Sequence, residues 1–549
     1  MFPAMKLDFP MLLAIMIGAL APATGWTAPE ASNLWQLAQA ETAVHRFSTL
    51  FTAQDVRQRL GTDAGIDAAI DWCRRTAVTK VYIEEFRDGY QAERATIEHA
   101  RDRFRQAGFV VSGCVTTTGL GKKSNGYKQV SCYTDQPTQE QLQAIFEFAA
   151  SLFDEVMIDD FWFTDCTCAA CTAARDARTV IIGAKTYPVN GGTWEDYRRE
   201  LMLRLSRERI LGPAKRVNPR AHIIIKYPQW YDRFHERGYD VARETAAFDR
   251  IWVGTETRDY GDPRWGGTAQ YEGFFIMRWL GGIGGAKCGG GWFDWLGTTE
   301  RTYVEQARQT VLGGARESFL FCYGGLQGST GPKDVEALRA NIPELLAVAK
   351  AVKTHALTGV AAYKPANSHP ENEARVFDFV GMMGVPLVPC HEFPKRAPAA
   401  FFSVHALKDA HFATELAALI RSGKPVLLTD GLTARLNGQI KLDAPNVRVL
   451  AVKGDPKSLL ELPESALNDL RAFLLRPLKV SFQAPNRVGL YYFRDGSWVV
   501  ENFNDQPAAV QLNGRPLTVP ARDWRYDWRA KPSAPKLSNL EPGTVNANN

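Results

Sequence analysis

The chain has 549 residues, 45% hydrophobic and 23% charged, the balance of an ordinary globular protein. That length predicts two to four domains and excludes a collagen, a coiled coil or a disordered tail. The net charge of +5 carries no basic run, so no nucleic-acid partner is expected.

The N-terminus reads as an export leader. Lys6 precedes the apolar run Phe9–Leu20 and the small residues Ala21 and Ala23 around Pro22. Cleavage is expected after Ala23, with Ala28 as the alternative. The run is shorter than the roughly 20 residues a membrane span needs, and no other stretch is apolar enough to cross. The expectation is a secreted or periplasmic protein, off the membrane after loss of residues 1–23.

From residue 45, apolar strand candidates alternate with amphipathic helices. The strands are Arg46–Thr52, Lys80–Glu85, Phe109–Thr116, Glu155–Phe161, His222–Tyr227, Arg250–Glu256, Gly290–Asp294 and Ser318–Tyr323. The clearest helix is Thr138–Leu152, with Leu142, Ile145, Phe146, Ala149 and Leu152 on one face. Thr138 and Gln141 suit a capping box at its start. Further helices are expected at Ile66–Thr76, Arg94–Ala107, Trp194–Ile210, Tyr239–Ala247, Tyr271–Gly281 and Thr302–Leu312. Eight strands alternating with helices predict an α/β fold, a (β/α)8 TIM barrel over 45–345. A doubly wound open sheet is the competing reading. Residues 355–475 alternate again, with strands at Val385–Pro389, Ala399–Val404 and Pro425–Thr429 and a helix at Phe412–Ser422, as in a small flavodoxin-like α/β domain. Residues 478–530 read as a β-sandwich-like domain. There Val488–Phe493 and Ser497–Asn502 flank Asp495-Gly496, the pair favoured by a type I′ turn, and Asn513-Gly514 gives a second turn. The tail 531–549 is expected to be disordered.

In such barrels chemistry sits where strands end. Strand 2 ends in Glu84, Glu85 and Arg87; strand 4 in Asp159, Asp160 and Trp162; strand 5 in Lys226 and Trp230; strand 6 in Glu256, Arg258 and Asp259; strand 7 in Trp292, Asp294 and Trp295. Carboxylates beside aromatics suit glycoside cleavage. Two carboxyl groups flank the scissile bond, and aromatic faces pack on sugar rings. Asp159 and Asp160 are the sharpest pair. Neighbouring strand residues point to opposite faces, so only one enters the mouth unless the strand has ended. The remaining catalytic candidates are Glu256 and Asp294. Glu84, Glu85, Arg87, Trp162, Lys226, Trp230, Arg258, Asp259, Trp292 and Trp295 are expected to bind substrate.

Nine cysteines form a second pattern. Cys166, Cys168 and Cys171 follow strand 4, and Cys132 follows strand 3. Four thiolates make a closed structural zinc site; disulfides are the alternative in an exported protein. Cys114 is the alternative fourth ligand, and Cys73, Cys288, Cys322 and Cys390 read as single thiols. No HExxH or Gly-x-Ser-x-Gly arrangement is present, and Gly281–Gly285 reads as a flexible loop. No organic cofactor is expected.

The order of parts resembles the family 42 glycoside hydrolases of the β-galactosidase type. The resemblance is carried by the four cysteines, by Lys424–Gly431 with Ala399–Val404 before it, and by Gly489–Asn502. It implies a barrel, a flavodoxin-like trimerisation domain, a small β-domain and therefore a possible homo-oligomer. Where that family carries Asn-Glu after strand 4 and Glu on strand 7, this chain has Asp159-Asp160 and Asp294. Transferred roles would make Asp160 the acid/base and Asp294 the nucleophile. Residues 159–163, Asp-Asp-Phe-Trp-Phe, also resemble the motif of "glycosyl hydrolase-like" barrels. In α-galactosidase-type barrels an Asp on strand 4 is nucleophile and a carboxylate on strand 6 is acid/base, a plan that Asp159 with Glu256 or Asp259 fits. The expectation is a secreted glycoside hydrolase acting on a glycoside or oligosaccharide. The alternative is a non-catalytic carbohydrate-binding barrel.

Overall fold

The computed structural model describes residues 31–258, 269–328 and 330–529. The expected leader, Asp259 and the expected disordered tail lie outside them. The first sheet holds eight parallel strands, β1 Arg46–Phe51, β2 Val78–Arg87, β3 Val110–Val115, β4 Glu155–Ile158, β5 His222–Tyr227, β6 Arg250–Gly254, β7 Cys288–Asp294 and β8 Glu317–Phe321, with the short Tyr90–Gln91 antiparallel to the end of β2. Each pairs with the next, and β1 pairs with both β2 and β8. The sheet therefore closes into a barrel, and the open doubly wound alternative is set aside.

Alternation along each strand explains why it closes. Leu50, Tyr82, Cys114, Met157, Ile224, Trp252, Trp292 and Phe319, one from each strand, make a buried cluster inside the barrel. Their successors Phe51, Ile83, Val115, Ile158, Ile225, Val253, Phe293 and Leu320 pack in the outer core. Strands buried on both faces read as continuous apolar runs, which is how they stood out in the sequence.

The helices differ from expectation mainly at their ends. Gln136–Leu152 begins two residues early, capped by Asp135 and not by Thr138: the Asp135 carboxylate accepts the Thr138 N–H at 3.1 Å and its hydroxyl at 2.8 Å. An aspartate is as good a cap as threonine, and Pro137 fits the first turn, where its missing N–H costs nothing. Gly281, Gly282 and Gly284 belong to the helix Glu272–Gly284 and not to a loop; only Gly285, at φ +52°, leaves it.

A second parallel sheet contains β9 Val360–Tyr363, β10 Leu387–Cys390, β11 Ala399–Phe402, β12 Val426–Thr429 and β13 Val447–Leu450. Its order β10-β9-β11-β12-β13 is the flavodoxin-like one. Two antiparallel sheets follow. One joins Val488–Phe493, Trp498–Asn502 and Asp523–Asp527 to Leu357–Thr358, so the β-unit recruits a strand from before β9. The other holds Phe482–Gln483, Ala508–Leu512 and Arg515–Val519. The hairpin at Asp495-Gly496 is not type I′. Only Gly496 has positive φ, and the Phe493 N–H donates to the Ser497 carbonyl across a three-residue loop. Asn513 and Gly514 are both at positive φ, the geometry of a two-residue primed turn. No described helix is long and apolar enough to cross a membrane.

Candidate active site

Two positions beyond the barrel's inner cluster, β2, β5 and β7 carry the charged residues Glu84, Lys226 and Asp294, and Asp159 follows the end of β4. β4 ends at Ile158, so Asp159 and Asp160 both reach the mouth. Asp159 is saturated. Its Oδ2 accepts Arg87 Nη2 at 2.8 Å and lies 2.9 Å from the Thr116 hydroxyl. Its Oδ1 accepts the Asp160 N–H at 2.7 Å. Burial opposes its ionisation, but Arg87, Lys226 and that N–H outweigh burial and hold it below the usual range. Asp160 differs. Lys226 Nζ donates to its Oδ2 at 2.8 Å and to Glu256 Oε1 at 2.7 Å. Burial, with the charges of Asp159 and Glu256, pushes Asp160 up to about 7 against the pull of Lys226.

Lys226 is fully buried, and its ammonium sits 4.2 Å from the Trp292 ring centroid. Burial disfavours its charge, but the three carboxylates raise its pKa, so it remains an ammonium. Glu256 Oε2 is buried without a hydrogen-bond partner among the described residues. Gly254 makes room for it: a Cβ there would stand 2.5 Å from that oxygen. Asp294 pairs with Arg258 and accepts the Leu296 N–H at 3.0 Å. Burial and the Glu256 charge push it up to about 6. Glu84 accepts the Ala53 N–H at 2.9 Å and Arg87 Nε at 2.8 Å.

A family model described as "Probable glycosyl hydrolase, catalytic domain" matches residues 31–342, which take in the whole barrel. The chain belongs to this family. That is the glycosyl hydrolase-like barrel class that the Asp-Asp-Phe-Trp-Phe run resembles; the match does not extend to family 42. An uncharacterised protein of Saccharolobus solfataricus is 26% identical over 340 residues, which is 59% of this chain and 56% of the relative. The chain thus spans little more than half of that relative. The α-L-fucosidase isoenzyme 2 of Paenibacillus thiaminolyticus shares the fold, at a TM-score of 0.53 and 10% identity over 85% of this chain and 93% of that one.

Several expected contacts of this glycosyl hydrolase family member lie elsewhere. Glu85 is the extra residue of a β-bulge, since Glu84 pairs with Cys114 and Phe86 with Val115. Its carboxyl turns away from the mouth and accepts the Cys114 N–H at 3.0 Å; burial pushes it well up. Trp162 is wholly buried. Its indole donates to Ser206 at 3.0 Å and its ring meets Tyr133 edge-on, so it is core and not a sugar platform. Trp292, stacked 4.1 Å from Phe319, forms the floor under Lys226. Trp230 and Trp295 are half-buried at the rim.

Rim residues not anticipated are Tyr127, 42% exposed and stacked on Phe163, and Phe321 beneath the Arg87 guanidinium. Tyr239 was also missed; its hydroxyl donates to the Asp160 carbonyl at 2.8 Å. Their signal was an aromatic closing a strand, as Phe321 closes β8, or lying in a loop, as Tyr127 and Tyr239 do, where sequence does not show direction.

Cys132, Cys166, Cys168 and Cys171 converge beside this rim, all Sγ atoms within 4.8 Å of one another. Cys132 lies 3.6 Å from Cys168 and from Cys171, and Cys168 lies 3.7 Å from Cys171. No described cysteine is in a disulfide. Cys114 is inside the barrel and takes no part.

Proposed function

We propose that the protein is a retaining glycoside hydrolase with Asp160 as acid/base and Glu256 as nucleophile. The observation that carries this reading is their shared partner. Both carboxylates touch one buried ammonium, so the contacting oxygens are no more than about 5.5 Å apart, inside the roughly 6.5–9.5 Å that an inverting pair keeps for its water. Their states also differ in the required way. Asp160 retains a proton near neutral pH. Glu256 keeps one oxygen on Lys226 and, among the described residues, one without a partner. Asp160 donates its proton to the leaving oxygen as a Glu256 oxygen bonds to the anomeric carbon. Water then attacks that carbon, giving its proton back to Asp160 and releasing Glu256 as carboxylate. Asp159, with both oxygens engaged, holds the Asp160 backbone in place. Asp294 with Arg258 and Glu84 with Arg87 present fixed charge to sugar hydroxyls. Trp230, Trp295, Tyr127 and Phe321 offer ring faces.

The test is a panel of aryl glycosides with wild type, Asp160→Asn and Glu256→Gln. Turnover by wild type should fall in both variants by about 10²–10⁴-fold. Azide should rescue Glu256→Gln with inverted product and Asp160→Asn with retained product. Rescue of Asp294→Asn with inversion instead would move the nucleophile to β7. Oligosaccharide binding without turnover in wild type would support the binding-barrel reading.

We also propose that Cys132, Cys166, Cys168 and Cys171 hold a structural zinc. Tetrahedral zinc with bonds of about 2.3 Å spaces its sulfurs by about 3.75 Å, close to the separations of 3.6–3.7 Å. The ion would clamp the loops after β3 and β4 and supply no chemistry to substrate. Metal analysis should find one zinc per chain, lost in Cys171→Ser. Intact-mass measurement showing paired thiols without metal would favour disulfides.

A further inference from the structure

We propose that the opposite, N-terminal end of the barrel binds a small oxyanion of the phosphate class. A cavity of about 290 Å³ opens there, lined by Thr42, Arg46, Arg250, Trp252, Arg316 and Glu317 among others. Arg46 begins β1, Arg250 begins β6 and Arg316 immediately precedes β8, so parallel topology brings three guanidinium groups to one rim. Trp252 lies one layer deeper, 3% exposed.

The lining offers donors and almost no free acceptor. Glu317 Oε1 accepts Ser48 at 2.7 Å and Tyr82 at 3.0 Å, and its Oε2 takes Lys80 at 3.2 Å. The Thr42 hydroxyl donates to the Gln39 carbonyl at 3.0 Å. Arg316 Nη2 is anchored on the carbonyls of Ala286 and Cys288 at 2.7 and 2.9 Å, and Arg250 pairs with Glu155. Two fully buried donors, the Trp252 indole N–H and Arg46 Nε, have no hydrogen-bond partner among the described residues. A buried donor left unpaired is destabilising, so this cavity wants an acceptor.

Its charge points the same way. Among the described residues, the lining sets Arg46, Arg250 and Arg316 against Glu317, with Lys80 and Glu155 paired behind them. The surplus is positive and repels a metal cation. Guanidinium groups match phosphate oxygens in a fork geometry. The backbone makes room for the indole: a Cβ on Gly289 would fall 2.2 Å from the Trp252 ring, and one on Gly290 2.5 Å from its Nε1.

The experiment is calorimetric titration of the full chain with inorganic phosphate and with a hexose 6-phosphate, at ionic strength matched with chloride. One saturable site is expected per chain. Arg316→Gln and Arg46→Gln should each weaken it about tenfold or more, and Trp252→Phe should weaken it less, with thermal midpoint and glycosidase activity checked in parallel. Tighter binding of the ester would identify the ligand as a sugar phosphate; equal affinity would identify phosphate itself. No saturable heat with either probe, or the same affinity in Arg316→Gln, would overturn the proposal and leave the cavity to water. Hydrolysis takes place at the other end of the barrel, so its failure would be a separate result.

Discussion

The two ends of this barrel are built by the same alternation and carry opposite electrostatic designs. At the mouth, among the described residues, Glu84, Asp159, Asp160, Glu256 and Asp294 share Arg87, Lys226 and Arg258. At the base, Glu155 and Glu317 are surrounded by Lys80, Arg250, Ser112, Ser48 and Tyr82. Burial is nearly equal, but the outcome is not. Burial opposes ionisation of Glu155, yet Lys80, Arg250 and Ser112 hold its pKa below the ordinary range. Asp160 and Asp294 are pushed up, to about 7 and about 6. A saturated carboxylate braces a fold; one short of partners keeps its proton and can give it away.

The largest effect should come from breaking the mouth. Asp160→Asn and Glu256→Gln are expected to lower kcat by about 10²–10⁴-fold while leaving the thermal midpoint nearly unchanged, as steady-state kinetics and calorimetry on the same preparations would show. The base should respond in the opposite way. Lys80→Met leaves Glu155 and Glu317 without their buried cation, a loss of about 3–5 kcal/mol measurable by urea unfolding, with activity per folded molecule preserved. Catalytic collapse in Lys80→Met at full stability would erase the distinction between the two ends.

The pH profile sharpens the comparison. A general acid must be protonated, so kcat/KM should fall as pH rises through about 7, the value to which burial and its neighbours raise Asp160. Stability carries the same sign. The native carboxyl keeps its proton while an unfolded one loses it near 3.9. Between those values the folded state binds more protons, so its stability declines as pH rises, and the decline is complete above about 7. Asp160→Asn should flatten that part of the stability curve. The smallest effect belongs to Glu85→Gln. A carboxyl that burial already holds neutral, outside the mouth, should exchange for an amide at about 1 kcal/mol or less with unchanged kinetics, whereas Glu84→Gln should impair activity.

The barrel was legible because each strand is buried on both faces and its apolar run ends where polar residues begin. The same reading found Asp159, Asp160, Lys226, Glu256 and Asp294, which follow such runs; Asp159, Asp160 and Glu256 meet on Lys226, and Asp294 stands on Arg258 within reach of the Glu256 charge. It misplaced residues wherever local geometry departs from strict alternation. The bulge in β2 turns Glu85 out while Glu84 and Arg87 stay in. Beyond the end of β4, Asp160 and Trp162 follow loop geometry, which sends one to Lys226 and the other to Ser206 in the core. The early start of the helix at Gln136 escaped because Asp135 and Thr138 are both good caps, and propensity does not choose between them.

The sequence by itself determined the repeated strand–helix unit, the strand ends that carry carboxylates and the spacing that places three cysteines near a fourth. Periodicity and burial dictate these through contacts only a few residues apart. Tertiary structure alone decided which carboxylates share a cation and which are saturated. It also decided that the β-unit borrows Leu357–Thr358 and that three arginines from β1, β6 and the approach to β8 meet at one rim. Closure of the barrel places residues some 270 positions apart within hydrogen-bonding reach, as for Ser48 and Glu317, and pairwise charge depends on that distance, which no local pattern encodes.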